Sequence, residues 1–172
     1  MNITTNTTMK IKTIALLTLF TLISACGFHL RGQLDISDDV EPVYISSSAN
    51  STLGIELRNL LSVNDIEITN EATNARYRVI LLKESQDRRT LSVGANANAV
   101  EYQLIETVSF AIEDSSGKPV VGPKTLNERQ IMNNDPDQVV SKGEEEQRLR
   151  REMKRNLAAK IARQFSAITK AR

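Results

Sequence analysis

The sequence predicts an α+β domain in which two helices pack on one face of a four-stranded, mostly antiparallel sheet, in the order β-α-β-β-β-α. Three patterns carry this expectation. Val100, Tyr102, Leu104, Val108, Phe110 and Ile112 alternate with Glu101, Gln103, Thr107 and Ser109, the period of a strand with one buried face. Leu53, Leu57, Leu60 and Leu61 fall on one face of a helix. Leu149, Met153, Leu157, Ile161, Phe165 and Ile168 form a second apolar stripe roughly 160° wide at about 100° per residue, with Arg148, Arg151, Arg155, Arg163 and Lys170 on the other side.

The first residues read as a leader. Lys10 and Lys12 form a positive flank, Ile14 to Ile23 is a ten-residue apolar run broken only by threonines, and Ser24-Ala25 places small residues before Cys26, the only cysteine. A membrane-spanning helix needs roughly 20 apolar residues, so cleavage after residue 25 is the better account. An ordinary secretory signal with Cys26 as a bystander is the plainer alternative, but small residues directly before a sole cysteine fit lipid attachment better. Residues 1–25 are therefore expected to be a lipoprotein signal peptide. Met9, followed by Lys-Ile-Lys, would also make a well-formed start. Residues 26–41, with Gly27, Gly32 and the acidic Asp38, Asp39 and Glu41, read as a lipidated N-terminus and tether, and residues 42–172 as a single domain.

Within that domain Pro42 leads into a short strand at Val43-Tyr44-Ile45, ended by Ser46-Ser47-Ser48. Asn50 or Ser51 can cap the first helix and Asn64-Asp65 can stop it. Ile66 to Thr69 is short and extended. Tyr77 to Leu82 is a strand with Tyr77, Val79 and Leu81 on one face, and the polar 87–90 run followed by the small residues of 92–99 reads as a hairpin tip. Glu106 interrupts the apolar face of the next strand, which suggests an edge. Asp114 to Pro119 supplies a turn, and Val120 to Met132 is a strand that Gly122-Pro123 interrupts. After Asp135-Pro136, Asp137 can cap the final helix.

Charge is unevenly spread. The formal net charge is +1, yet residues 144–172 carry nine Lys or Arg against four Asp or Glu, so the body before them is acidic and the end basic. With one cysteine no intramolecular disulfide forms. The inventory for catalysis is thin: His29, the only histidine, stands three residues from Cys26, which argues against a histidine triad or a zinc site. No glycine-rich phosphate loop or metal motif appears, and the carboxylates Asp38-Asp39 and Asp135/Asp137 read as turn and cap residues. The chain is expected to be no enzyme and to need no cofactor or metal. The arginines of the last helix read first as a solvated face. Nucleic acid is not an expected partner, because no aromatic residues interleave the cationic stretch. Anionic glycolipid suits it better: Arg88 and Arg89 at the loop tip and Lys142 at the start of the last helix can form charge-assisted bonds worth roughly 1.5–3 kcal/mol each if partly desolvated.

The run Cys26-Gly27-Phe28-His29-Leu30-Arg31 resembles the start of mature LPS-assembly lipoproteins of the LptE type. Glu101-Tyr102-Gln103 at the start of a long strand, the Asp135-Pro136 turn, and Lys142 before a Glu-rich helix resemble that family's later landmarks in order and spacing. The resemblance implies a non-enzymatic lipoprotein, acylated at Cys26 and held at the outer membrane by its acyl chains. It would lie on the periplasmic side and in the lumen of an LptD-type β-barrel, plugging the barrel, assisting its assembly and binding lipopolysaccharide. Gly27, where an aspartate would favour inner-membrane retention, agrees with that address. Lys142 matches a basic position the family uses for lipopolysaccharide. The family's other such position, at the hairpin tip, falls near Ala95 here, and Arg88 and Arg89 are the nearby residues able to substitute. The alternative is a stand-alone envelope lipoprotein that binds anionic glycolipid or peptidoglycan, to which the basic helix would also be suited.

Overall fold

The computed structural model describes Ile36, residues 40–134 other than Asn96, and residues 139–170. The signal peptide, Cys26 and the run to Arg31, most of the tether, the Asp135-Pro136 turn and the Asp137 cap lie outside the described residues. The elements are β1 (Val43–Ser46), α1 (Thr52–Val63), β2 (Ile68–Thr69), β3 (Tyr77–Val93), β4 (Ala99–Asp114), β5 (Pro119–Asn133) and α2 (Val139–Lys170).

The fold class is as the sequence predicts, with one more strand. The sheet has five strands in the order β2-β1-β3-β4-β5, because the extended stretch before Asn70 pairs with β1 at two positions. β1 runs parallel to both β2 and β3, while β3, β4 and β5 form the antiparallel meander. α1 therefore serves as the crossover between parallel neighbours. Ser51 caps it, accepting a hydrogen bond from Gly54 N at 2.8 Å. The chain leaves it through Asn64, whose N–H bonds Leu61 O, and Asp65, which takes a positive φ of 62°. Gly54 is where α1 approaches the β1 exit most closely: a Cβ there would lie 2.7 Å from the Ser47 Cβ.

The main core lies at one end of the sheet. Val43 and Ile45 of β1, Leu53, Leu57 and Leu61 of α1, Val79, Phe110 and Ile112 of the meander, and Leu157, Ile161 and Phe165 of α2 are all buried in it. The helices thus share one face of the sheet. Val40 is buried there too, and Ile36 packs against it, so two residues of the stretch expected to be tether contribute to the packing. A second, smaller cluster of Leu104, Met132, Leu149 and Met153, flanked by Tyr102, lies towards the other end.

Three expectations need correction. Residues 87–90 are not a loop: β3 continues through Val93, and Arg88 and Arg89 pair with Leu104 and Gln103 of β4. Both faces of this half of β3 are exposed, so it lacks the apolar alternation that marks a strand. The tip is confined to residues 94–98. Glu106 does not mark an edge either. β4 lies between β3 and β5, and Glu106 is only 4% exposed; an arginine of α2 satisfies it, as described below. The interruption at Gly122-Pro123 proves to be a bulge within a continuous strand. Phe110 pairs with Lys124 and Ile112 with Val121, so two residues of β5 stand opposite Ala111 alone. β5 is an edge strand, where a proline costs no ladder bond.

Candidate functional site

A second bulge decides which side chains of β3 face α2. Leu81 pairs with Phe110 and Lys83 with Ser109, leaving Leu82 as the extra residue, half exposed. Before it Tyr77, Val79 and Leu81 face the helices. After it the parity inverts, and Glu84, Gln86 and Arg88 face them. Arg88 consequently lies on the helix side while Arg89 lies on the outer face, where its Nε bonds Asp87 Oδ2 at 3.0 Å.

Opposite this half of β3 stands the first third of α2, and a charged network joins the two. Arg150 donates from Nη1 to Glu106 Oε1 at 2.8 Å and from Nε and Nη2 to Glu146 Oε1 at 2.8 and 2.7 Å. The other oxygen of Glu146 accepts from Arg88 Nη1 at 3.0 Å. The Arg88 guanidinium also lies over the Tyr102 ring, 4.7 Å from its centroid, within cation–π range. Two carboxylates and two guanidiniums thus compensate one another in charge. Burial alone would raise the Glu146 carboxyl, but hydrogen bonds and charge from Arg150, then Arg88, outweigh it and hold Glu146 below the ordinary carboxylate range. Burial likewise opposes the charged form of Arg150, and the bonds to Glu106 and Glu146 more than reverse that, raising its pKa.

Lys142, in the first turn of α2, is a third cation of this region. Its Nζ bonds Glu145 Oε2 at 2.7 Å, and its side chain is only 20% exposed. Arg88, Tyr102, Met132, Asn134, Lys142, Gly143 and Glu146 line a cavity of about 270 Å³. Of the three cations expected to touch a ligand, the structure brings Arg88 and Lys142 to one cavity and leaves Arg89 on the opposite face of the sheet. Tyr102 and Arg150 carry no ligand role in the sequence reading. Tyr102 was visible as part of the Glu-Tyr-Gln landmark, whereas nothing in the sequence singles out Arg150 among the arginines of α2.

On the other flank of α2 a larger groove of about 540 Å³ is lined by Thr52, Gln86, Gln147, Arg150, Arg151 and Lys154, and it shares Gly143 and Glu146 with the first cavity. The chemistry available across both is recognition of anions by cations, amides and one aromatic ring. No group of three or more His, Cys, Asp or Glu among the described residues is arranged to hold a metal ion.

A family model described as LptE, lipopolysaccharide-assembly, matches residues 40–165, nearly the whole of this structure. The chain belongs to the LptE family. LPS-assembly lipoprotein LptE of Photorhabdus laumondii subsp. laumondii is 28% identical over 157 residues, covering 89% of this chain and 84% of that protein. Its namesake from Pectobacterium atrosepticum is 26% identical over 147 residues, covering 84% and 79%. Among solved structures, uncharacterized lipoprotein B from Nitrosomonas europaea superposes with a TM-score of 0.71 at 26% identity, covering 84% of this chain and 94% of that one. Rare lipoprotein B from Shewanella oneidensis gives 0.63 at 28% identity, covering 75% and 96%. The LptE match thus contains β1 to β5 and most of α2, including Arg88, Tyr102, Lys142 and Arg150.

Proposed function

We propose that this chain is a non-enzymatic outer-membrane lipoprotein, acylated at Cys26, that plugs an LptD-type β-barrel, assists its assembly and takes part in lipopolysaccharide delivery to the cell surface. The observation that carries the reading is membership of the LptE lipopolysaccharide-assembly family across residues 40–165. The outer face of the sheet supports it. Ser85, Thr107 and Asn127 form one row across β3, β4 and β5, and Lys83, Ser109 and Thr125 the next. A wide barrel has a polar lumen, and these two rows of hydroxyls, an amide and a lysine are suited to face it. The cavity beneath Arg88 and Lys142 supplies the ligand contact, with Arg89 available to the barrel wall on the far face.

The acyl anchor follows from Cys26. One chain alone gives marginal membrane binding at about 0.8 kcal/mol per buried methylene, and a multiply acylated cysteine gives a stable anchor.

Co-purification from detergent-solubilised outer membranes tests the proposal. The expected result is recovery of the chain with a stoichiometric barrel protein. Recovery without one, together with lipopolysaccharide export that survives depletion of the chain, would replace the plug with a stand-alone glycolipid-binding lipoprotein.

A further inference from the structure

The cations around the start of α2 divide into two groups. Arg88 is paired with Glu146, Lys142 with Glu145, Arg148 with Glu152, and Arg150 with both Glu106 and Glu146. Among the described residues no carboxylate lies within ion-pair distance of Arg151 or Lys154. Both line the larger groove, and the one carboxylate in its wall, Glu146, has each oxygen committed to an arginine. The network around Arg150 is charge-balanced, so among the residues that line the groove the charge left over is that of Arg151 and Lys154. Gln86 and Gln147 add amide donors. The volume of about 540 Å³ falls within the usual range for a ligand site and leaves room for a sugar beside an anionic group.

We propose that Arg151 and Lys154, with Gln86 across the groove, form a second anion-binding site that takes a phosphomonoester of a multiply phosphorylated glycolipid. The proposal rests on the lipopolysaccharide reading above and extends it to a surface outside the Arg88–Lys142 cavity. At the two sites the cations differ in availability. A ligand entering beside Arg88 and Lys142 meets cations already paired with Glu146 and Glu145, whereas Arg151 and Lys154 meet it unpaired. Gly143, in the wall of both cavities, interposes no side chain between them. Lys142 precedes Arg151 and Lys154 by nine and twelve residues, about 14–18 Å along a helix that rises roughly 1.5 Å per residue. A headgroup of several phosphorylated sugars spans such a distance and a free phosphate ion does not.

The test uses the lipidated full chain in detergent, with lipopolysaccharide and its enzymatically dephosphorylated form as probes. Arg151→Gln/Lys154→Gln should weaken binding of intact lipopolysaccharide by about tenfold at low salt and less at high salt, as expected for contacts open to screening. It should leave the thermal melt unchanged and bind the dephosphorylated form as the wild type does. A control that removes two exposed charges elsewhere, Lys124→Gln/Arg163→Gln, should bind like wild type. Unchanged affinity in Arg151→Gln/Lys154→Gln overturns the site, and so does an equal loss in the control or with the dephosphorylated probe. Inorganic phosphate binding as tightly as lipopolysaccharide would assign the groove to the free ion and overturn the headgroup. If Arg88→Gln/Lys142→Gln alone weakens binding, this inference fails and the function proposed above survives; if the wild type binds no lipopolysaccharide, both lose their ligand.

Discussion

At the end of the sheet where β1, α1 and the second half of α2 meet, the buried side chains are almost all apolar, down to the edge-to-face contact of Tyr77 and Phe165 at 5.6 Å between ring centroids. At the other end the apolar cluster shrinks to four buried residues, and the space beside it is filled by Glu106, Arg150 and Glu146. The first end is held by a force proportional to apolar area and indifferent to direction. The second is held by donors and acceptors that must meet at set distances. One sheet rung shows the arrangement: Gln86, Glu106 and Glu128 are neighbours on the helix side of β3, β4 and β5, and α2 sends Arg150 to Glu106 and Lys160 to Glu128. A run of carboxylates inside a sheet is tolerable because one helix delivers a cation to each. The apolar end fixes where α2 sits, and the charged end uses that position to present cations beside a cavity.

The largest expected effect tests the apolar end. Phe165→Ala should destabilise the fold by about 3–5 kcal/mol, since a fully buried ring is lost and its cavity remains. Leu104→Ala, in the smaller cluster, should cost about 2 kcal/mol, the lower end of the range for a buried leucine. Urea unfolding of the two variants measures both. Equal losses would mean that the charged end is as tightly packed as the other and would remove the distinction.

The next effect breaks the charged end directly. Arg150→Met leaves Glu106, 4% exposed, without its cation, and should cost about 3 kcal/mol, because removing one partner of a buried pair strands the other charge. Adding Glu106→Leu should recover most of that loss, since two well-packed apolar side chains can replace a buried pair. If the double variant is no more stable than the single one, the cost of Arg150→Met is lost packing of the arginine stem rather than a stranded charge.

The same contrast explains how much was legible in the sequence. Periodicity reports apolar burial, so the leucine stripe of α1, the alternation of β4 and the stripe of α2 from Leu149 to Phe165 all pointed to real elements and to the shared face. Ser51 as a cap and Asn64-Asp65 as a stop were also legible, because local backbone chemistry selects them. The charged end was not legible by these means. The outer half of β3 has polar residues on both faces, hence no period to read, and it resembled a loop. Glu106 resembled an edge residue because its partner is 44 positions away in the chain. The cavity was half legible: Arg88 and Lys142 were named, but so was Arg89, and only the bulge at Leu82 separates Arg88 from Arg89 by face. Leu81-Leu82 gives no sign of which leucine is extra, and a slip of one residue exchanges the two arginines.

The smallest expected effect separates the two ends by pH. Glu146 has a folded-state pKa below its ordinary value of 4.5, so the unfolded chain takes up this proton more readily than the folded one. Its contribution to stability is therefore complete above pH 4.5 and is lost as the pH falls through the depressed folded value. Glu146→Gln keeps a carbonyl oxygen to accept from Arg150 but removes the charge that Arg150 and Arg88 hold. It should therefore unfold at lower urea than wild type at pH 7, and the gap should narrow as the wild-type carboxyl is itself protonated in acid. Phe165→Ala removes no titrating group, and its gap from wild type should not follow that titration. A Glu146→Gln gap that stays constant between pH 7 and pH 3 would place its origin in side-chain shape, and the charged end would then be held by packing like the other.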